Sequence, residues 1–319
     1  MRAPIILFVY NRLEHTKKTI ESLKENTLAK DSELYIFSDG AKNAEQVDRV
    51  LEVREYIKKI DGFKSIHIIK SKSNKGLANS VIDGVNKIIE KYGKVIVLED
   101  DLITSKYFLE YMNEALDLYE DRLDIWSISA YTPNIRFKDN YKYEIYLTGR
   151  GSSWGWATWK DRWETIDWDL KDYFKFKKSS IERQKFNLSG SDMSFMLDDQ
   201  MCGRINSWAI RWCYSQFRQN KLTIYPKKSL INNIGNDLSG THTPITNKYS
   251  VKISNEKPLL YRDLKTDKDV LMEFKKFYDL NILGCLGVFI KKLGLYKPAR
   301  KLRNKLIKIV GVRWKLHFI

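Results

Sequence analysis

Within the first 101 residues, four short apolar runs alternate with longer amphipathic stretches, and this alternation restricts the chain to a parallel α/β sheet. The runs are Ala3–Tyr10, Glu33–Phe37, Ser65–Ile69 and Lys94–Leu98. Between them, apolar residues recur at helical spacing: Ile20 and Leu23; Val47, Val50, Leu51, Ile57 and Ile60; Leu77, Val81, Val85, Ile88 and Ile89. Strands joined by helical crossovers return parallel and right-handed. The fourth run, Val95-Ile96-Val97-Leu98, is apolar without alternation, as in a strand buried on both faces.

Each run ends in a polar cluster: Asn11-Arg12, Ser38-Asp39-Gly40, Asn74-Lys75-Gly76 and Glu99-Asp100-Asp101. Open α/β sheets bind ligands at the carboxyl ends of their strands, so four such clusters on one rim predict a binding crevice. Three adjacent carboxylates repel one another unless a cation joins them. Hard oxygen donors suit Mg²⁺ or Mn²⁺, ions usually shared between one or two carboxylates and substrate phosphates. The alternative is a solvated acidic turn. A dehydrogenase fingerprint and a Walker A loop are both missing, as is the glycine-rich first loop of a sugar-nucleotide pyrophosphorylase.

These clusters, the Ile128-Ser129-Ala130-Tyr131 segment after the next strand, and Gly149-Arg150-Gly151-Ser152-Ser153-Trp154-Gly155-Trp156 together resemble the GT-A glycosyltransferases. The resemblance is to the Golgi α-mannoside β-1,2-N-acetylglucosaminyltransferase family and to bacterial family 2-like sugar transferases. It runs from Pro4 to His242 and implies a Rossmann-like nucleotide-diphospho-sugar transferase fold with a mixed central sheet. Glu99-Asp100-Asp101 resembles the family's DxD motif, which makes Asp101 the direct metal ligand and puts Asp100 and Glu99 near the donor's ribose and sugar. Arg12 and Asp39 match positions that contact the nucleotide, the aspartate facing the base. Asn74 and Gly76 on the same rim join the donor-binding set. Gly235–His242 matches a loop that closes on the diphosphate, and His242 matches an additional metal ligand. A lone histidine is otherwise structural or solvent-exposed.

One departure concerns the catalytic base. Ungapped comparison puts Ala209 and Ile210, within Ser207-Trp208-Ala209-Ile210-Arg211-Trp212, where the Golgi enzyme carries an aspartate pair. Asp199 is the first substitute, with Asp198 and Asp192 behind it, because proton abstraction from a sugar hydroxyl needs a carboxylate within hydrogen-bond reach. Inversion or retention stays open. Five tryptophans crowd Gly149–Trp168, and Trp208 and Trp212 follow. Flat apolar faces stack on sugars, which nominates Trp154 and Trp208 for the acceptor. Core packing is the competing reading, because Trp156, Trp159 and Trp163 fit one helix face. Arg150 either faces the donor phosphates or pairs with a local acid.

Of the net charge of +16, +10 lies in residues 281–319, which hold ten Lys/Arg and no acid. Leucines, isoleucines and aromatics interleave with those bases, a pattern that predicts a helical tail resting on an anionic leaflet. A solvated or packed helix is the alternative, and a basic tail also binds nucleic acid non-specifically. Three cysteines, no apolar run near the roughly 18 residues of a spanning helix and no leader pattern lead to a cytoplasmic expectation. The sequence thus predicts a catalytic domain over 1–280 and a basic tail over 281–319. The expected enzyme uses Mn²⁺ or Mg²⁺ and moves a hexose or N-acetylhexosamine from a UDP-linked donor to a saccharide or lipid-linked acceptor in surface polysaccharide synthesis, at the cytoplasmic face of the membrane. The alternatives are a nucleotidyltransferase and a non-catalytic basic protein that binds membrane or nucleic acid.

Overall fold

A computed structural model describes residues 2–235 and 248–282, with 284, 286 and 287. The alternating first half folds as its pattern requires. β1 (Ile5–Val9), α1 (Leu13–Lys24), β2 (Glu33–Ser38), α2 (Val47–Ile57), β3 (Ser65–Lys70), α3 (Leu77–Tyr92) and β4 (Lys94–Glu99) follow one another. The chain continues through β5 (Leu102–Thr104), α4 (Phe108–Leu118), β6 (Ile125–Ser129), β7 (Ile145–Thr148), β8 (Trp156–Trp159), α5 (Lys160–Trp163), α6 (Tyr173–Lys178), α7 (Ser180–Phe186), α8 (Met193–Met201), α9 (Trp208–Arg218), β9 (Leu222–Pro226), β10 (Ile231–Asn233) and α10 (Lys268–Tyr278).

Eight strands form one mixed sheet in the order β3-β2-β1-β4-β8-β6-β9-β7, and β5 and β10 make a separate antiparallel pair. β3, β2, β1 and β4 are mutually parallel, whereas β8 runs antiparallel to both β4 and β6. After β1 the chain builds outward to β2 and β3, then crosses back to lay β4 on the other side of β1. The gap between β1 and β4 is therefore the topological switch point, the place where such sheets open a crevice at their carboxyl ends. Register puts Phe8 opposite Glu99, so the residues after both strands emerge side by side.

Both faces of the sheet are covered, which explains the unbroken apolar runs. Ile5, Leu7, Val9, Ile96 and Leu98 pack in one core with residues of α1, α2 and α4. Ile6, Phe8, Val95 and Val97 pack on the other face with Val81, Val85, Ile88 and Ile89 of α3. Full burial of side chains of this size stabilises by about 1.5–3 kcal/mol each. α2 buries Val50, Val53 and Ile57, while Val47 and Leu51 remain exposed, because two apolar residues of its pattern fall outside the stripe that meets the sheet.

The tryptophan segment departs from its helical reading. Trp156 and Trp159 lie in β8, where an offset of three sends them to opposite faces. Trp156 joins Trp163, Trp208 and Trp212 on the α3 side, whereas Trp159 joins the core on the α4 side and donates its indole N–H to Leu116 O at 3.0 Å. All three are buried. α10 closes the far end: Asp267 caps it by accepting from the amides of Asp269 and Val270, and Val270 and Phe274 pack on Tyr146 and Tyr225. Residues 236–247, with His242 and most of the Gly235–His242 loop, lie outside the described residues, as does nearly all of the 281–319 tail. No helix among the described residues is long and apolar enough to cross a membrane.

Candidate active site at the β1–β4 switch point

β4 ends at Glu99, and the turn Asp100-Asp101 delivers the chain into β5. α1 fixes this turn: the Thr19 hydroxyl donates to Asp100 O at 2.9 Å and accepts from Leu102 N at 3.1 Å. From the end of β1, Arg12 reaches across the switch point. Its Nη2 donates to Asp100 Oδ1 at 2.5 Å and to Asp101 Oδ2 at 2.8 Å. Tyr10 N donates to Asp100 Oδ2 at 3.3 Å, and the Asn233 side-chain amide donates to Asp101 Oδ1 at 3.0 Å. Asp100 and Asp101 are 4% and 8% exposed.

Gly235 covers the second acid. A Cβ there would fall 2.1 Å from Asp101 Oδ2, so only glycine lets the backbone lie this close to the carboxylate. Gly235 N donates to Asn233 Oδ1, which ties the cover to the side chain that holds Asp101. Thr19 and Asn233 carry no motif and were not legible in the sequence; their roles depend on α1 and β10 meeting the acid turn.

The crowding has electrostatic consequences. Burial pushes the Asp100 carboxyl above its ordinary value, opposed by the Arg12 charge and reinforced by Asp101. Burial also raises Glu99, to about 8, with the charges of Asp101 and Asp100 adding to the effect. Arg12 stays firmly charged: burial disfavours its guanidinium, but the two aspartates outweigh that.

A raised acid is protonated in the folded protein while ionised in the unfolded chain. Glu99 therefore withdraws stability as pH climbs from its ordinary value near 4.5 towards 8. Glu99→Gln is expected to unfold at higher temperature than the parent at pH 8, by about 2 kcal/mol of stability. The difference should vanish near pH 4.5. Thermal melts across pH in chelator-treated protein check this; a gap that does not depend on pH counts against it.

A divalent ion suits the chemistry of this corner. The donors are hard carboxylate oxygens, and the structure already needs a cation between Asp100 and Asp101, supplied here by Arg12. Among the described residues no group of three or more His, Cys, Asp or Glu is gathered as a metal set. Asp100 and Asp101 would hold the ion, with Glu99 beside them.

The second rim cluster is built around Asp39. Its Oδ1 accepts from Gly40 N at 2.8 Å and Lys75 N at 2.9 Å; its Oδ2 accepts from Gly76 N at 2.9 Å and the Asn74 amide at 3.1 Å. Asp39 thus ties the loop after β2 to the loop after β3, and Asn74 also donates to Gly40 O. Gly76 has φ +75°, a left-handed value that lets its N–H turn back to Asp39 at the start of α3. Arg54 of α2 supports the same rim by donating to the carbonyls of Ser38, Asp39 and Ser71. It sits in a helix of unremarkable composition, so only the fold revealed it.

On the opposite flank, Trp154 is half-buried and edge-on to Tyr131 at 4.7 Å and Tyr249 at 5.8 Å. Its neighbourhood joins the acid corner through the backbone: Ala130 N donates to Gly155 O, and Leu230 N, just before β10, donates to Ala130 O. Trp208 instead lies 3% exposed between Trp156 at 5.0 Å and Trp212 at 5.5 Å, as a core side chain. Arg150 makes a two-pronged ion pair with Asp192, at 2.7 and 2.9 Å, and stacks over the Tyr278 ring at 3.9 Å. Of its two sequence readings, the structure gives the local acid.

The other two acids of this flank are also paired. Asp198 is gripped by Arg183 at 2.9 and 2.8 Å and by the Tyr173 hydroxyl, and Asp199 accepts from Arg204 Nε at 2.6 Å. Proton abstraction by Asp199 therefore requires competition with Arg204 for its carboxylate.

A doubly covered mixed α/β sheet with acids at its switch point is the arrangement of a GT-A, Rossmann-like fold. The Glycosyl transferase family 2 profile matches residues 5–190, more than half of the chain, and the chain belongs to that family. Members of that family take nucleotide-sugar donors and saccharide acceptors. No curated protein matches it in sequence. Among solved structures it is similar to S. aureus TarS, at 14% identity and TM-score 0.32 over 45% of this chain and 24% of that one. It is similar also to the mannosyltransferase PcManGT from Pyrobaculum calidifontis in complex with GDP-Man and Mn²⁺, at 12% identity and TM-score 0.35 over 50% and 46%. A UDP-glucose pyrophosphorylase complexed with UDP-glucose aligns at 12% identity and TM-score 0.34 over 70% of this chain and 90% of that one. The chain thus spans about a quarter of the length of TarS and about half that of the mannosyltransferase.

Proposed function

We propose that this chain is a metal-dependent glycosyltransferase that takes a UDP-linked hexose or N-acetylhexosamine. The acceptor is a saccharide, in the setting of bacterial surface polysaccharide or lipopolysaccharide synthesis. The observation that carries the reading is the acid pair Asp100–Asp101, buried at the β1–β4 switch point and already bridged by a cationic group. A divalent ion there neutralises charge that grows on a departing nucleoside diphosphate. Asp101 and Asp100 hold the ion, and Glu99 lies towards the donor sugar. The rim built by Asp39, Asn74 and Gly76 forms the wall for the base. Arg12 serves the phosphates. His242, in the loop that follows Gly235, closes on the diphosphate as a further ligand.

The half-buried Trp154, flanked by Tyr131 and Tyr249, offers an aromatic edge to the acceptor. Asp199 takes the hydroxyl proton once Arg204 yields it. The 281–319 tail, with its ten bases, rests on the anionic cytoplasmic leaflet when the acceptor is lipid-linked.

Ligands that bind only the folded state raise its melting temperature by mass action. Melts with UDP, GDP, CMP and TDP, each with and without Mn²⁺, are expected to show a shift for UDP that requires the metal. At about a hundred times the dissociation constant, the gain is about 2.7 kcal/mol. A shift with another nucleotide replaces the donor assignment. No shift with any of them removes the donor site from the acid corner.

A further inference from the structure

Arg12 does more in this fold than a phosphate-binding residue needs to do. One nitrogen, Nη2, serves Asp100 Oδ1 and Asp101 Oδ2 at once, bridging two carboxylates as a bound ion does. The remaining oxygen of each acid is held from elsewhere, by Tyr10 N and by the Asn233 amide. The two oxygens facing Arg12 are thus the ones left for any cation that enters the pair. The other terminal nitrogen of the guanidinium, Nη1, is buried without a hydrogen-bond partner. A guanidinium carries five donors in a planar fork suited to phosphate, so this seat satisfies it poorly. The backbone of Arg12 is fixed, because it caps α1 and its carbonyl accepts from Thr16 N and the Thr16 hydroxyl. Only side-chain torsions are left to move the charge.

We propose that Arg12 holds the divalent cation's place on Asp100 and Asp101 in the metal-free protein, and that cation and diphosphate together draw it off. The inference rests on the metal-dependent reading above. Guanidinium and metal exclude each other on the same two oxygens. Without a diphosphate the metal must displace Arg12 into a site that offers it nothing; with one, the freed fork gains phosphate oxygens. Metal and nucleoside diphosphate therefore strengthen each other's binding, and by linkage the coupling is reciprocal.

The test is Mn²⁺ binding to the full chain, followed by the electron paramagnetic resonance of the free ion, with and without UDP. Arg12→Gln is expected to bind Mn²⁺ about tenfold more tightly than the parent when UDP is absent, and to lose most of the enhancement that UDP gives the parent. Equal or weaker nucleotide-free affinity in Arg12→Gln overturns the proposal. Removing the charge also leaves two buried carboxylates facing each other, so a measurement on the unaltered protein stands beside it. Phenylglyoxal labelling at Arg12, read by peptide mass spectrometry, is expected to rise several-fold with saturating Mg²⁺; unchanged or reduced labelling overturns the proposal. If neither protein binds Mn²⁺ with or without UDP, the metal-dependent reading fails and takes this inference with it. Binding that is indifferent to Arg12 removes the inference alone.

Discussion

Asp101→Asn is expected to lower the rate of sugar transfer about a thousandfold, the scale of losing one focused electrostatic contact at the departing group. The fold should survive. An asparagine carbonyl in the place of Oδ1 still accepts from Asn233 and Arg12 keeps Asp100, while the new amide nitrogen replaces the acceptor that Arg12 had in Oδ2. Removing the Asp101 charge also relieves Glu99 and Asp100, both raised partly by it. Relief of the neighbouring acids and loss of the Arg12 contact oppose each other, so the variant should melt within a few degrees of the parent while losing the Mn²⁺-dependent shift with UDP. Asp101→Ala is a harsher change, because it leaves the Asn233 amide without its acceptor. Full activity in Asp101→Asn would remove the metal role from this residue.

Arg150→Met is expected to destabilise the protein by about 3 kcal/mol, near the lower end of the range for breaking a buried ion pair, and to lower its melting temperature by roughly 5 °C. The pair is not wholly dry: the Arg150 and Asp192 side chains are 13% and 16% exposed. The loss comes mainly from the acid left behind, because Asp192 loses both of its guanidinium bonds. The cation–ring contact with Tyr278 goes as well. Arg150→Met combined with Asp192→Leu should recover most of the stability, because an apolar pair does not have to be desolvated. Thermal melts of the two single variants and the double variant measure the coupling. Additive losses would mean that the pair does not act as a unit.

The segment that carries Asp192 is held in turn by the end of α10. Ser191 N donates to Asp279 Oδ1 at 2.9 Å, and Leu280 N donates to Ser191 Oγ at 2.8 Å, so the end of α10 pins the segment that carries Asp192. α10 lies beyond residue 190, where the family match stops.

The sequence by itself determined the parallel half of the sheet, because apolar runs buried on both faces and amphipathic crossovers leave little other choice. It also placed the acids at a strand end, since a carboxylate triplet cannot continue a buried run. It could not give strand order. Nothing local says that β4 lands beside β1, yet that adjacency is what lets Arg12 reach Asp100 and Asp101. Trp156 and Trp159, three apart, suit one helix face, whereas a strand covered on both sides buries them on opposite faces, and only the antiparallel pairing of β8 with β4 and β6 decides between the two. Thr19, Asn233 and Arg54 left no signal, because an ordinary polar residue gains a role only from what another element brings against it. The partners of Arg150, Asp198 and Asp199 were undecided for the same reason. A charge in a sequence has many possible counter-charges, and packing selects one.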